Sequence, residues 1–446
     1  ELRLKRLTQI GSSAQTLVLT GTAVLRIGPA STFNGNLDFR SPQIALDGAT
    51  YNGVTYLEKT GASNNDSNGG NSFLGSTTTI VNSGTGWFKF AVNSLDTFGS
   101  GDLILSNTGT STIRMADNVP GSVFNGNIFV NSTFGGGIYF SDSGSGTATL
   151  AAGKSIAVGA LGFTTGDLRI RRFTQADAAT AQTLLLTGTS SLVLGPSIAF
   201  SGNSDFRAPQ VFLNGGTFNG TALIEKTGAT DNSGNGNMTF QSTTTLRLSG
   251  TGFYRTNGGN TFNGPTSIIN NGSNYMLFEL VSGSTYNGDL TLINTGSSTI
   301  RMGYTGTTAF NGNIAVNSTS GNGIYFVDSG IGSATLATGK TISTGSTGFT
   351  TGELRLARFT QNGTTAQNIV FTGTAGLRVG PTTTWNGNFT SSSPAIFLDG
   401  AVFNGTTNSI TKTGSTTDTS VGGNTFAAGT TSTLTNSGTG IFRLAN

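Results

Sequence analysis

The sequence predicts an all-β fold, a parallel β-solenoid that winds as a right-handed β-helix of about 19 coils of 18–28 residues. Three observations predict it: 68 of the 446 residues are glycine, only 10% of the residues are charged, and short alternating apolar runs recur along the chain with 30 phenylalanines. Long helices are not expected, because glycine or asparagine interrupts the chain almost every ten residues. Low charge combined with many aromatic residues also separates the chain from disordered sequences.

Three long repeats divide the sequence. Their openings are similar and comprise residues 1–9, 167–175 and 353–361. We therefore predict a single continuous solenoid over residues 1–446, with long repeats 1–166, 167–352 and an incomplete 353–446. The second repeat is 20 residues longer than the first, and flanking landmarks place the extra residues between about 255 and 285. A solenoid accommodates such an insertion as one additional coil.

A shorter unit recurs inside each long repeat. It consists of an aromatic residue, Asn-Gly and then alternating apolar residues, as in the copy at residues 310–318. In that copy the strand period of two predicts Ile314 and Val316 inside and Asn317 outside. Asn-Gly supplies the corner, because both residues tolerate a positive φ.

Stacked coils place matching side chains above one another, about 4.8 Å apart. Aromatic side chains should then form columns, in which each ring contact contributes about 0.5–1.5 kcal/mol beyond area burial. Corner asparagines should form amide ladders. The predicted rod is about 90 Å long, and its right-handed winding follows from the usual handedness of parallel crossovers. The aromatic ladder is expected to comprise Phe33, Tyr51, Phe73, Phe200, Phe218, Phe240, Phe262, Tyr286, Phe310, Trp385, Phe403 and Phe426.

Composition argues against most kinds of catalysis. The chain has no cysteine and no histidine, so it has neither an imidazole base nor a Ser-His-Asp triad. Its 20 acidic residues average about one per coil, and many lie beside turn glycines, as Asp47 and Asp399 do. We therefore predict no catalytic, metal-binding or cofactor-binding residues and no enzymatic activity. A net charge of +3 gives no basic stripe for nucleic acid, and no apolar run reaches the length of a membrane span.

The openings of the long repeats carry the candidate interaction residues. Arg3 and Lys5, Arg169 and Arg171, and Arg355 alternate with apolar residues, which predicts that they face solvent. One interpretation is contact with an anionic glycan, a lipopolysaccharide or a neighbouring rod. The other, which we favour, is a solvated face that deters lateral aggregation.

The segment Ser249-Gly250-Thr251-Gly252 is followed by residues 259–272, which contain an Asn-Thr-aromatic-x-Gly-x-Thr turn and strand. This pattern resembles the passenger-associated repeat of bacterial autotransporter adhesins. Passengers of that family are right-handed β-helices on the cell surface, so the resemblance implies bacterial surface display in an adhesin or fibre. Because residue 1 already lies inside a repeat, we expect the chain to be a segment or a processed product.

Taken together, these patterns favour an extracellular structural protein that forms a rod or filament on or around a bacterial cell. Self-association, end to end or lateral, is the expected partnership, and glycans or other cell-surface material are further candidate partners. The alternative is an adhesin stalk that binds surface glycans. A polysaccharide-degrading β-helix is less favoured, because it needs carboxylates clustered on adjacent coils.

Overall fold

A computed structural model of the chain describes residues 1–328 and 330–444. Residue 329, in a turn that the sequence predicts at 328–330, and residues 445–446, at the end of the third repeat, lie outside the described residues. Within the described ranges the protein is all-β, without helices, and its parallel strands stack as a β-solenoid of about 19 coils. The predicted fold class is confirmed.

Two compact units divide the chain, Glu1–Ala222 (unit 1) and Leu223–Asn446 (unit 2). The division falls inside the strand Ala222–Lys226 and does not coincide with an end of a long repeat. Both units are built from three series of stacked strands. Each coil contributes one strand to each series, and the chain passes through the series in a fixed order. We call them the arginine series, the aromatic series and the long series, after the side chains or strand lengths that distinguish them.

The strands of unit 1 follow this order from coil to coil. Its arginine series consists of Leu2–Leu4, Val24–Ile27, Gln43–Leu46, Asn65–Asp66, Phe88–Lys89, Thr112–Met115, Gly137–Phe140, Asp167–Ile170, Ser191–Leu194 and the first half of Gln210–Phe218. Its aromatic series consists of Thr32–Phe33, Thr50–Tyr51, Ser72–Phe73, Thr97–Phe98, Ser122–Phe124, Ala148–Leu150, Phe173–Gln175, Ile198–Phe200 and the second half of Gln210–Phe218. Its long series consists of Gln15–Val18, Leu37–Ser41, Thr55–Lys59, Thr77–Asn82, Asp102–Asn107, Ile128–Ser132, Ile156–Phe163, Gln182–Leu185 and Ser204–Ala208.

Unit 2 repeats the arrangement. Its arginine series consists of Asn232–Gly234, Tyr254–Thr256, Met276–Leu277, Thr299–Met302, Gly323–Phe326, Glu353–Leu356, Gly376–Val379, Ala395–Leu398, Asp418–Thr419 and Phe442–Arg443. Its aromatic series consists of Gly236–Phe240, Thr261–Phe262, Thr285–Tyr286, Thr307–Phe310, Ser333–Leu336, Phe359–Gln361, Thr384–Trp385, Val402–Phe403 and Thr425–Phe426. Its long series consists of Ala222–Lys226, Thr244–Leu248, Thr266–Asn270, Leu290–Asn294, Ile314–Ser318, Ile342–Phe349, Gln367–Val370, Phe389–Ser393, Thr407–Lys412 and Thr431–Asn436.

Side-chain alternation along each strand encloses the core. In Leu37–Ser41, for example, Leu37 and Phe39 are buried, whereas Asp38 and Arg40 are partly exposed. This is the period of two that an extended chain imposes. Each coil therefore contributes an apolar inner face and a polar outer face.

The longer second repeat contains one more coil than the first. Its long series has eight strands, from Gln182–Leu185 to Ile342–Phe349, where the first repeat has seven, from Gln15–Val18 to Ile156–Phe163. The extra strand is Thr266–Asn270, which lies inside the interval 255–285. The insertion thus lengthens the stack and leaves the neighbouring strands in register.

A β-bulge in the strand Ile342–Phe349 buries one residue of the outer face. This strand pairs with Ile314–Ser318 of the preceding coil, and the register shifts between Val316 and Ser318. The shift opens a gap in the backbone hydrogen-bond ladder at Asn317. The side chain of Asn317 fills that gap, is buried, and accepts a hydrogen bond from the Thr347 amide at 2.9 Å. Asn317 keeps the predicted outward position, in register with Ile293, but it is not exposed to solvent, because the bulge covers it and supplies a partner for its amide.

Candidate interaction surface

An uninterrupted aromatic column runs through five consecutive coils of unit 1. Neighbouring ring centroids are 4.8–5.7 Å apart, the rings are nearly parallel, and all five side chains are buried. The column consists of Phe33, Tyr51, Phe73, Phe98 and Phe124. Further along unit 1, Phe200 and Phe218 stack in the same way, with centroids 5.5 Å apart.

A second column lies in unit 2. Its neighbouring ring centroids are 4.7–5.3 Å apart, and the rings are again stacked and buried. This column consists of Phe240, Phe262, Tyr286 and Phe310. The strand pairings place each of these rings directly opposite the next, so the stacking follows from the register.

The last coils of unit 2 depart from simple stacking. Phe403 and Phe426 stack with centroids 5.0 Å apart. Trp385 is in register with Phe403, yet its ring lies against Phe389, at 5.0 Å between centroids. Phe389 also contacts Phe403, at 5.4 Å, so an inner residue of the long series connects the two rings.

A glutamine takes the column position at the opening of each long repeat. Gln175 and Gln361 are fully buried opposite Leu150 and Leu336. Gln361 Nε2 donates to the Thr365 carbonyl at 2.5 Å, and Gln361 Oε1 accepts from the amide of the next coil at 3.1 Å. Sequence reasoning missed this role, although a Thr-Gln pair recurs at residues 8–9, 174–175 and 360–361.

Exposed amide ladders lie at the Asn-Gly corners, as expected. Asn287 Nδ2 donates to Asn263 Oδ1 at 2.7 Å, and Asn311 Nδ2 donates to Asn287 Oδ1 at 2.8 Å. The corresponding bond from Asn52 to Asn34 in unit 1 is 2.7 Å long. Each ladder links successive coils along the outer surface.

A buried polar column occupies the corner after the long series. Lys59 Nζ donates to the carbonyls of Gly61 and Gly86 at 2.6 and 3.0 Å, and Asn82 Nδ2 donates to Gly86 at 3.1 Å. Burial lowers the pKa of the Lys59 ammonium to about 8. The same corner contains Lys226 and Lys412, each of which donates to a glycine carbonyl at 2.7 Å. Lysine and asparagine side chains therefore have the same role at this corner: they donate hydrogen bonds to backbone carbonyls that the turn leaves unpaired.

Arginine–tyrosine–arginine sandwiches lie on the outer face of the arginine series, and two of them occupy equivalent places in the first and second long repeats. In unit 1 the guanidinium carbons of Arg114 and Arg169 lie 5.5 and 4.5 Å from the ring centroid of Tyr139. These distances are within the range of cation–π attraction. The equivalent sandwich in unit 2, with corresponding distances of 5.6 and 4.6 Å, consists of Arg301, Tyr325 and Arg355.

The predicted basic patch is largely neutralised. Three of its four arginines pair with an acidic residue two positions earlier, because residues i and i+2 of a strand share a face. The guanidinium of Arg3 also lowers the pKa of its partner carboxyl. The closest nitrogen–oxygen distances are 2.6 Å for Arg3–Glu1, 2.8 Å for Arg169–Asp167 and 2.8 Å for Arg355–Glu353.

The two remaining patch residues differ from each other. Arg171 is only partly exposed, and its Nε lies 3.3 Å from Asp142 Oδ1. Lys5 is exposed and has no ion pair among the described residues. The described residues therefore provide an acidic partner for each arginine of the predicted patch.

The next basic residue of the opening has a structural role. Arg172 donates to the carbonyls of Ser141, Ser143 and Gly146, with distances of 3.2 Å to Ser143 and 2.7 Å to Gly146. Arg358 binds the corresponding loop in unit 2 and reaches the Val327 carbonyl at 2.7 Å. These guanidinium groups hold the loop of the preceding coil.

A groove of about 580 Å³ crosses the outer face of the long series in unit 1. Tyr56, Ile104, Phe129 and Leu161 supply most of its apolar lining, and Glu58 lies at one end. Among the residues that the structure describes, no cluster of three or more His, Cys, Asp or Glu side chains could hold a metal ion. Nor does that part of the chain contain a helix that is long and apolar enough to cross a membrane.

The protein is a repeat protein of the β-solenoid class. Its strands form parallel series, its inner side chains form in-register columns, and side chains satisfy the backbone groups of its corners. No family model, no curated protein and no solved structure matches this chain.

Proposed function

We propose that this chain is an extracellular structural protein of a bacterial surface, which forms rods or filaments by in-register stacking of β-coils. The observation that carries the proposal is the set of columns within each unit. Successive coils share backbone hydrogen bonds, stacked rings and amide ladders, which is the pattern that makes cross-β materials resistant to unfolding.

The corners support the same function, because they fix how closely the coils approach. A Cβ atom added to Gly312 would lie 2.2 Å from the carbonyl oxygen of Gly288 in the preceding coil. Only glycine fits such a contact. A sequence so restricted at each corner favours a regular, extensible scaffold.

The bacterial and extracellular parts of the proposal are supported by the resemblance of residues 249–272 to autotransporter passenger repeats. That resemblance also supports a second candidate function, an adhesin stalk that binds surface glycans. The groove that contains Tyr56 and Phe129 favours this candidate, because concave apolar surfaces with a few polar groups are typical of ligand sites.

Two measurements test the proposal. Negative-stain electron microscopy of the purified chain should show filaments or rods, and antibodies raised against the chain should label the exterior of intact source cells. Labelling confined to the cell interior, or purified protein that forms only compact particles, would contradict the proposal. Binding of purified chain to cell-wall glycans without filaments would favour the adhesin stalk.

A further inference from the structure

In each long repeat an exposed amide ladder ends at an Asn-Gly corner. Inside a ladder an asparagine donates from Nδ2 to the preceding coil and accepts at Oδ1 from the following coil, as Asn287 does between Asn263 and Asn311. The last asparagine still donates, at 2.7–2.8 Å, but its Oδ1 accepts no hydrogen bond from the residues that the structure describes. These ladder-end residues are Asn52, Asn311 and Asn404.

The ladders end because the following coil has an aliphatic residue at the corner position. In unit 2, for example, Phe310 is in register with Leu336, so Ala337 follows opposite Asn311. The three aliphatic residues are Leu74 in the first repeat, Ala337 in the second and Ala427 in the third. Their side chains cannot donate, so the ladder-end carbonyl is left to solvent.

Asn287 and Asn311 are otherwise closely matched. Both side chains are exposed, and both backbone amides donate to the carbonyl of the ring residue in the preceding coil, at 2.7 and 2.8 Å. A glycine follows each asparagine, and a Cβ atom added to Gly288 or Gly312 would lie 2.4 or 2.2 Å from the backbone of the preceding coil. The hydrogen bond to Oδ1 is the contact that distinguishes the two sites.

An asparagine that precedes glycine can react with its own backbone. The glycine nitrogen attacks Cγ, because no side chain on the glycine hinders the approach. A new C–N bond closes an imide ring, the bond from Cγ to Nδ2 breaks, and the nitrogen leaves as ammonia with the proton of the glycine amide. Water then opens the ring at either carbonyl and yields aspartate or isoaspartate. Overall, one water is consumed, one ammonia is released, and an amide becomes a carboxylate.

The attack requires the side chain to rotate so that Cγ faces the glycine nitrogen. A ladder bond at each end of the amide opposes this rotation at Asn287, whereas one bond alone restrains Asn311. Because a hydrogen bond must break before the side chain can turn, each additional bond raises the barrier to ring closure.

We propose that Asn52, Asn311 and Asn404 are sites of spontaneous deamidation, and that the asparagines inside the ladders are protected. Each conversion adds one negative charge to the outer surface, so conversion at all three sites cancels the formal net charge of +3. A protein near zero net charge associates more readily, so self-association should increase as the protein ages. The deamidation itself does not depend on the structural function proposed above, because it requires only the corner and its ladder.

Peptide mapping by mass spectrometry tests the proposal on the full chain, incubated at pH 8 and 37 °C. Conversion at each site is read from the mass gain that accompanies replacement of an amide by an acid. We expect Asn311 to convert about five times faster than Asn287 in the folded chain. The urea-unfolded chain is the control, in which no ladder exists and the two rates should converge. Equal rates in the folded chain would overturn the proposal, as would no conversion at Asn311 over a period in which the unfolded chain converts completely.

Two substitutions move the end of the ladder. Ala337→Asn extends it by one coil, supplies a donor to Asn311 Oδ1 and should slow conversion there about fivefold. Asn311→Ala shortens the ladder and should accelerate conversion at Asn287 by a similar factor. Thr291→Ala, on the outer face of the same coil as Asn287, leaves the ladder intact and should change neither rate.

An unchanged rate at Asn311 in Ala337→Asn, with an unchanged unfolding midpoint, would overturn the proposal. So would an unchanged rate at Asn287 in Asn311→Ala. Electron microscopy of the same samples reports separately on filament formation, so failure of the deamidation proposal and failure of the structural function are distinguishable.

Discussion

The hydroxyl of Tyr286 donates a hydrogen bond to Glu279 Oε1 at 3.1 Å, and both side chains are fully buried in unit 2. The other carboxyl oxygen of Glu279 accepts from the Gly303 amide at 2.8 Å. Burial is the dominant influence and raises the pKa of Glu279 to about 7. An aromatic column thus touches a carboxyl group whose protonation changes near neutral pH.

This pair predicts a pH-dependent stability. The folded-state pKa of Glu279 exceeds its unfolded value of about 4.5, so the neutral carboxyl stabilises the fold. Its contribution, about 3 kcal/mol, is fully present below about pH 4.5 and is lost as the pH rises through 7. Glu279→Gln should therefore match the wild-type urea midpoint at pH 4.5 and exceed it at pH 8. A variant that is less stable than wild type at pH 8 would contradict this assignment.

Removal of a ring from the centre of the aromatic column in unit 2 should lower the free energy of unfolding strongly. Phe262 lies between Phe240 and Tyr286, with ring centroids 4.9 and 4.7 Å away. Phe262→Ala should lower the free energy of unfolding by about 3–5 kcal/mol, since it removes a buried ring and leaves a cavity. Val281→Ala, at a side chain that is 67% exposed, is the control and should change it by no more than about 0.5 kcal/mol. Similar urea midpoints for the two variants would show that the column does not carry stability.

Truncation to alanine should cost much more stability at a buried corner asparagine than at an exposed one. Buried Asn270 donates to the Asn274 carbonyl at 3.0 Å and accepts from the Gly272 amide at 3.1 Å, whereas exposed Asn287 bonds two other asparagines of its ladder. Asn270→Ala leaves buried groups unpaired and should destabilise by about 2–3 kcal/mol. Water can replace the partners of Asn287, so Asn287→Ala should destabilise by less than about 1 kcal/mol. Chemical denaturation of both variants checks the ranking, and the reverse order would refute the importance of the inner corner.

Replacement by lysine should destabilise the protein at Arg172 but hardly at the adjacent Arg171. Arg172 binds three loop carbonyls with a planar fork that an ammonium group cannot reproduce, so Arg172→Lys should destabilise by about 1–3 kcal/mol. Arg171 forms a partly exposed ion pair with Asp142, and Arg171→Lys should change stability by less than about 1 kcal/mol. Hydrogen exchange of the 141–146 amides gives a local measure, which should accelerate in Arg172→Lys alone.

The sequence predicted the features that depend on periodicity. Matching rings such as Phe240 and Phe262 recur at coil length, and the strand period of two places them inside, so both the fold class and the columns follow from local pattern. The extra coil near Thr266 was equally visible, because an insertion of one coil leaves the flanking repeats aligned.

Features that depend on specific partners were not predicted. The period of two correctly places Asn317 on the outer side, but it could not predict that a bulge in the next strand buries this residue. The charge of Arg169 was treated as free because the pairing acid Asp167 was counted as part of the repeat opening. Gln361 was overlooked because a glutamine in an apolar column is stabilised only by backbone groups that the fold brings to it.

X-ray fibre diffraction from aligned filaments of the purified chain tests whether the coils stack in register to build a structural material. In-register stacking predicts a strong reflection near 4.8 Å on the meridian, parallel to the filament axis, because the strands lie across that axis. A 4.8 Å reflection on the equator, or none at all, would contradict it.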